Sequence, residues 1–392
     1  MSMWGNLALR YEGRENQAHR LLALDGGGIR GIITLEVLNR MEELLAETTG
    51  RGASFRLCDF FDYVAGTSTG AIIAAGLALG MSATELLDFY KQTGPAMFDK
   101  QFILKRWQAL YKSQPLKKEL QETFGAHTTL GSGDLKCLLM AVTRNRTTDS
   151  PWPISSNPQA KYNDRKRPDC NLQIPLWQIV RASTAAPVFF PPEVIQWDPD
   201  DEDKAFVFVD GGMTPYNNPA FLLYRMATDP GYRLNWATGE ENLLLISVGT
   251  GAAATQGEDV EEPHRGLLGN VAGIPGALMY AAMVDQDTLC RQVGRCVHGA
   301  VLDREIGAMI PRDPGGRRIP LSNNLGRRFL YARYNADLST DGLAALGLDD
   351  INPANVQKLD SIAYIDDLRR VGRKVADEIE VGHFGDFIRL GA

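Results

Sequence analysis

The stretch Gly66-Thr67-Ser68-Thr69-Gly70 has the Gly-x-Ser-x-Gly form that exposes a nucleophilic serine on a sharp turn between a strand and a helix. Its flanks suit that context. Residues 60–65 read as a short strand, and Ala71-Ile72-Ile73-Ala74-Ala75 as the first turns of an apolar helix. Gly66 and Gly70 have no Cβ to collide where the backbone is strained, so the Ser68 oxygen can stand clear of the sheet edge. Taken alone, the motif fits a nucleophile and an ordinary small-residue turn equally.

A serine nucleophile needs a base. Of the histidines His19, His127, His264, His298 and His383, none sits in a telling setting, and His383 is the candidate for a conventional triad in the order serine, acid, histidine. The other candidate is Asp210, which an apolar strand over residues 206–209 delivers into Gly211-Gly212 at a strand's carboxyl end, like the serine. Flanked by apolar strand and glycine, its carboxylate would be partly desolvated, and the raised pKa makes a better proton acceptor. The bland alternative is an aspartate that starts a turn.

The loop Asp25-Gly26-Gly27-Gly28-Ile29-Arg30-Gly31 lies between a strand at residues 21–24 and a helix. Its amides should face whatever binds at the helix N-terminus, a place that favours negative charge. Phosphate binding and stabilisation of the oxyanion formed on an ester carbonyl both want this. The spacing Gly26-x-Gly28-x-x-Gly31 meets the dinucleotide fingerprint, but no acidic residue ends a second strand about twenty residues on, and no Gly-Lys-Ser/Thr follows. On the loop alone, a non-enzymatic nucleotide-binding module and an oxyanion site both stay open.

These three turns need a scaffold. Apolar runs at 21–24, 60–65, 135–142, 205–209 and 243–248 read as strands buried on both faces. They alternate with helical patterns, one carrying Ile32, Leu35, Leu38, Met41 and Leu45 at three- and four-residue steps, another over 176–186 ending at Pro187. That alternation predicts an open α/β sheet with ligands beyond the carboxyl ends of strands. Residues 150–168, with a basic run at 161–167, and 197–204 read as surface loops. The acidic run at 198–203 lacks calcium-loop spacing and reads as solvated. Residues 95–120 mix Phe98, Phe102, Trp107 and Tyr111 with lysines and Arg106, which suits either an interfacial surface for lipid or an amphipathic helix packed on the core.

The ordered set Asp25-to-Gly31, Gly66-to-Gly70 and Asp210-Gly211-Gly212 resembles the patatin-like phospholipase family, as does Ala182-Ser183-Thr184-Ala185-Ala186-Pro187-Val188-Phe189-Phe190-Pro191. The resemblance covers roughly residues 20 to 250. It implies a three-layer α/β/α hydrolase fold with a mostly parallel central sheet, Ser68 as nucleophile, Asp210 as its direct base, and an oxyanion site from the amides of Gly26, Gly27 and Gly28 with Arg30 nearby. It further implies cleavage of membrane phospholipid esters through an acyl-enzyme, with no metal or other cofactor. A histidine-dependent esterase of soluble esters is the rival within enzymes.

Residues 20–255 are thus expected to form the catalytic domain, and 256–392 a C-terminal extension packed on it, with a regulatory role. There Arg327-Arg328-Phe329-Leu330-Tyr331-Ala332-Arg333-Tyr334-Asn335, followed by Leu346-Gly347-Leu348, resembles bacterial patatin-like effectors of anti-phage defence that cyclic nucleotides switch on. Arginines interleaved with tyrosines could hold the phosphates of a cyclic dinucleotide and stack its bases. The plain alternative is a partly exposed helix or strand with structural arginines.

Composition sets the outer bounds. The chain has 392 residues, 44% hydrophobic and 23% charged, which is ordinary for a globular protein and argues against disorder. A net charge of −7 disfavours general attraction to nucleic acid polymers or to an anionic membrane and leaves a local basic patch open. Cys58, Cys137, Cys170, Cys290 and Cys296 are scattered and odd in number, suggesting reduced thiols rather than a disulfide framework or zinc site. The start shows no signal peptide, and the longest apolar run, residues 71–81, falls short of the ~20 residues a membrane span needs. The expected setting is the cytoplasm with peripheral action at the membrane; a homo-oligomer is compatible with the sequence.

Overall fold

The structure, a computed structural model, describes residues 2–98, 114–187, 190–198, 200–253, 267–360 and 362–391. The five apolar runs become strands β1 (His19–Leu24), β2 (Tyr63–Thr67), β3 (Leu138–Asn145), β6 (Ala205–Asp210) and β7 (Leu243–Val248); four further strands join them, β4 (Ser150–Ser155), where a surface loop was expected, β5 (Glu193–Gln196), β8 (Arg295–His298) and β9 (Leu330–Tyr334). Among the described residues they form one sheet in the order β5-β6-β3-β2-β1-β7-β9-β8, with β4 also paired to β3. From β3 to β8 the strands run parallel, while β4 and β6 are antiparallel to β3, and β5 to β6.

Side chains alternate across β1, and both faces are covered. Leu22 and Leu24 join one apolar cluster with Ile32, Leu35, Leu38, Met41 and Leu45 of helix α1 (Gly31–Thr48). Leu21 and Ala23 join another with Trp4, Tyr11, Trp236 and helix α5 (Ala220–Thr228). Each such buried side chain contributes about 2 kcal/mol. The remaining helices named below are α2 (Thr69–Ala78), α3 (Ala83–Phe98), α4 (Leu176–Ser183), α6 (Leu267–Val293) and α7 (Ile365–Ala376). The architecture is the expected α/β/α arrangement on a mostly parallel sheet. Beyond residue 255, β9 and β8 continue that sheet past β7, and α7 packs on α1, where Arg369 and Arg373 meet Glu36.

Several expectations shift. Phe60, expected to open the strand, instead ends a helical turn over Leu57–Phe60, where the Arg56 N–H donates to Asp59 Oδ2 at 2.9 Å, and β2 starts at Tyr63 and runs on through Thr67. Helix α4 stops at Ser183, short of Pro187. Residues 99–113 lie outside the described ones, and with them most of the stretch 95–120 read either as an interfacial surface or as a helix packed on the core. Its described end, Gln114–Phe124, buries Leu116, Leu120 and Phe124, so it packs on the core. Among the described residues, no helix is long and apolar enough to cross a membrane.

Candidate active site

Ser68 follows β2 and caps α2 with φ 53° and ψ −121°, a conformation a non-glycine residue holds only when its surroundings impose it. The strain sits on the serine, and the glycines serve close packing. A Cβ on Gly66 would stand 2.0 Å from the Gly70 carbonyl oxygen, and one on Gly70 would stand 2.3 Å from that of Leu24. The turn is pinned from below: the Ser68 N–H donates to Ser183 Oγ at 2.9 Å, and that hydroxyl donates to the Val142 carbonyl at 2.6 Å.

Asp210 reaches Ser68 by register. Thr67 lies opposite Val142 in the parallel pair, and Thr143 opposite Asp210 in the antiparallel one, so the β6 terminus arrives beside Ser68 from the opposite direction. The sequence reading put Asp210 at a strand's carboxyl end but could not give that direction. Gly211 allows the approach, since a Cβ there would stand 2.1 Å from the Val142 oxygen. Ser68 Oγ donates to Asp210 Oδ2 at 2.6 Å, and the Gly212 N–H donates to Oδ1 at 2.7 Å. Asp210 is 6% exposed; burial pushes its carboxyl up to about 6, against the opposing pull of Ser68, the Gly212 amide and Arg181.

The glycine loop sits between the ends of β1 and β7, where sheet topology opens a crevice. Of its three expected amides, that of Gly26 is already committed, donating to the Asn217 carbonyl at 3.1 Å. The Gly27 and Gly28 amides have no acceptor among the described residues. The Gly26 carbonyl accepts from Thr250 Oγ1 at 2.9 Å and Asn217 Nδ2 at 3.3 Å. Arg30 is half-buried, and its Nη1 donates to the Gln357 carbonyl at 3.1 Å; burial pushes it down to about 10 against the pull of Asp25.

Asp25, at the root of the loop, is clamped by Arg333 of β9, with Nη2 to Oδ2 at 2.5 Å and Nη1 to Oδ1 at 3.2 Å. Arg333 also touches Ser247 Oγ and faces Asp287 of α6 at 3.6 Å. Burial alone would depress the guanidinium pKa, yet Asp25, Tyr331 and Asp287 raise it above its ordinary value. This corrects the nucleotide-platform reading for the strand part of residues 327–335, while Arg327 and Arg328 precede the strand and are not buried in it. Tyr331, Arg333 and Tyr334 are buried in a strand and cannot stack bases.

The histidine alternative finds no support in the geometry. His383 is buried, shares a 2.8 Å hydrogen bond with the Tyr334 hydroxyl and stacks on His298 at 4.6 Å; burial, then His298 and Arg318, push it down to about 4. His264 lies outside the described residues. Among those residues no cluster of His, Cys, Asp or Glu is fit to hold a metal ion. Sequence reasoning missed Asn217 and Thr250, and gave Arg333 to a nucleotide rather than to Asp25. The pair Asn217-Asn218 before Pro219 signalled buried polar work just after Asp210, and Thr250 within Gly249-Thr250-Gly251 marked a fourth strand-end turn. Nothing local marked Arg333 as the partner of Asp25.

A strained serine, a desolvated carboxylate against its hydroxyl and two open amides on an α/β sheet form a layout that can transfer an acyl group to water. The family description "Patatin-like phospholipase" matches residues 22–224. A cGAMP-activated phospholipase of Vibrio cholerae serotype O1 is 30% identical over 365 residues, spanning 87% of this chain and 90% of that protein. Patatin-1-Kuras 2 of Solanum tuberosum is 30% identical over 253 residues, 60% of this chain and 63% of that protein. Among solved structures, VipD from Legionella pneumophila matches with a TM-score of 0.34 at 14% identity, covering 90% of this chain and 67% of that one. The chain belongs to the patatin-like phospholipase family, a family of lipid acyl hydrolases.

Proposed function

We propose that this chain is a phospholipase A type acyl hydrolase in which Ser68 attacks a fatty-acyl ester of a membrane phospholipid and Asp210 is its base. The observation that carries this is the 2.6 Å contact from Ser68 Oγ to a carboxyl pushed up to about 6. A base of that strength is mostly ionised at neutral pH and still accepts a proton readily. Asp210 takes the Ser68 proton as Oγ bonds to the carbonyl carbon, and the Gly27 and Gly28 amides hold the resulting oxyanion. Collapse breaks the ester C–O bond, and the proton passes from Asp210 to the departing lysolipid oxygen. Water then gives a proton to Asp210 and attacks the acyl carbon; fatty acid leaves, and Ser68 regains its hydrogen.

The Vibrio cholerae relative is named for activation by cGAMP. We propose that a cyclic dinucleotide also switches on this chain, within a bacterial anti-phage defence. In this reading residues 20–255 do the chemistry at a membrane surface and 256–392 carry the control. The test measures fatty acid released from phosphatidylethanolamine and phosphatidylglycerol vesicles by wild type and Ser68→Ala, with and without a panel of cyclic dinucleotides. Wild type should release little alone and about 5–150-fold more with one of them, the usual span of allosteric coupling. Ser68→Ala should release none. Equal release by that variant sinks the nucleophile, and indifference to every cyclic dinucleotide sinks the control.

A further inference from the structure

A cleft of about 800 Å³ opens at the far end of α6 and β9, walled by Val293, Ile310 and Pro311 together with Arg312, Arg327 and Arg328. The three arginines are its unusual feature. Arg312 Nη1 donates to the Gly316 carbonyl at 2.8 Å, Arg328 Nη1 to Thr238 Oγ1 at 3.1 Å, and Arg327 Nη1 to the Gln292 carbonyl. Neutral acceptors thus steady each arm, and no carboxylate partners any of them among the described residues. Acidic residues outnumber basic ones 48 to 41 in the chain, and neighbouring arginines do find acids, Arg291 on Asp287 and Arg295 on Glu240. Three steadied, uncompensated guanidinium forks around an apolar wall match an organic phosphodiester: anionic oxygens for the forks, flat rings or chains for the wall. The volume lies within the ~300–1,000 Å³ of small-molecule sites.

We infer that this cleft binds a phosphodiester ligand, and that the cyclic dinucleotide activator is its occupant. The ligand's identity rests on the proposed function; the chemistry of the cleft does not. Both walls continue into the candidate active site. Along α6, Met279 Cε lies 3.4 Å from where a Cβ on Gly212 would stand, and Asp287 faces Arg333. Arg327 and Arg328 lead directly into β9, whose Arg333 clamps Asp25 beneath the glycine loop. An occupant drawing the end of α6 and the start of β9 together therefore acts on elements that support Asp210 and Gly27.

The test uses the full chain carrying Ser68→Ala, so that lipid is not consumed. Binding of cGAMP and other cyclic dinucleotides is measured by calorimetry, and binding of phosphatidylglycerol vesicles by flotation. Both are repeated with Arg328→Ala, Arg328→Lys and Arg312→Ala added, each checked by thermal unfolding. Arg312 stands on an exposed turn, so its variant reports even if Arg328→Ala fails to fold. We expect one cyclic dinucleotide to bind, with affinity lost about 10–100-fold in each alanine variant, the usual weight of a charge-assisted contact, and partly restored by lysine. Nucleotide binding unchanged in folded alanine variants overturns the cleft and leaves activation standing. Vesicle binding alone, lost in the same variants, upholds the phosphodiester cleft with a lipid headgroup as its source and removes the nucleotide reading. Binding of neither probe overturns both.

Discussion

The two strand ends on either side of Ser68 both carry a buried aspartate, and they differ in what faces the carboxylate. At the end of β1, Asp25 meets the Arg333 guanidinium in a two-pronged contact. At the end of β6, Asp210 meets a hydroxyl and an amide, both neutral. Burial pushes both carboxyls up, but at Asp25 the charge of Arg333 opposes it at contact distance, whereas Asp210 rises to about 6. The same residue type at similar depth is thus a brace in one place and, in the proposed mechanism, a proton acceptor in the other. The partner decides which.

Removing the acceptor should have the largest effect. Asp210→Asn is expected to lower turnover by roughly 10⁶-fold, as loss of the group that takes the serine proton does in other serine hydrolases. It should also stabilise the fold at pH 8. Asp210 titrates near 6 when folded against an ordinary 3.8, so the wild-type fold is penalised above about pH 6 and not below about pH 4. Asparagine escapes that penalty. The gain, at most about 3 kcal/mol and reduced by poorer hydrogen bonding, should fade as pH falls from 6 to 4. Melting temperatures across pH 4–8 check the sign; a variant less stable at pH 8 than at pH 4, relative to wild type, would mean that Asp210 is held as a structural anion.

Breaking the brace should cost less activity and more stability. Arg333→Met leaves Asp25 and Asp287 facing one another without their cation, at a cost of about 3–5 kcal/mol. Arg333 touches no reacting atom, so its part is to position the glycine loop. We expect kcat to fall about 10–100-fold through misplaced amides while KM stays nearly constant. Adding Asp25→Asn should recover part of the stability without restoring kcat. If kcat returns together with stability, the clamp serves folding alone.

The contrast also marks what could be read from sequence. Ser68 and Asp210 are legible because their chemistry needs glycines at fixed neighbouring positions, where backbones approach too closely for a Cβ. Strand β7 falls at residues 243–248 as expected, since a strand covered on both faces must be apolar throughout. The partner of Asp25 lies 308 residues away in a strand whose own pattern reads equally as a nucleotide platform or as a strand with structural arginines, so no local signal could assign it. Nor does an apolar run reveal its direction, which is why the antiparallel entry of β6 awaited the register with β3.

The smallest effect tests whether a distant cation tunes the acceptor. Arg181 of α4 is 2% exposed, donates to the Pro191 carbonyl at 2.9 Å and leaves Nη1 without a partner among the described residues. Its charge opposes the rise in the Asp210 pKa without forming a hydrogen bond to it. Arg181→Leu removes that opposition, so the carboxyl should titrate higher. The acid limb of the kcat profile should move up by less than about one pH unit, with turnover at pH 8 unchanged. Lysine keeps the charge and should return the limb toward wild type, which a purely structural role for Arg181 would not predict. A limb that stays put in Arg181→Leu would mean that only contact partners separate the two strand ends, and that the field of a nearby buried cation adds nothing.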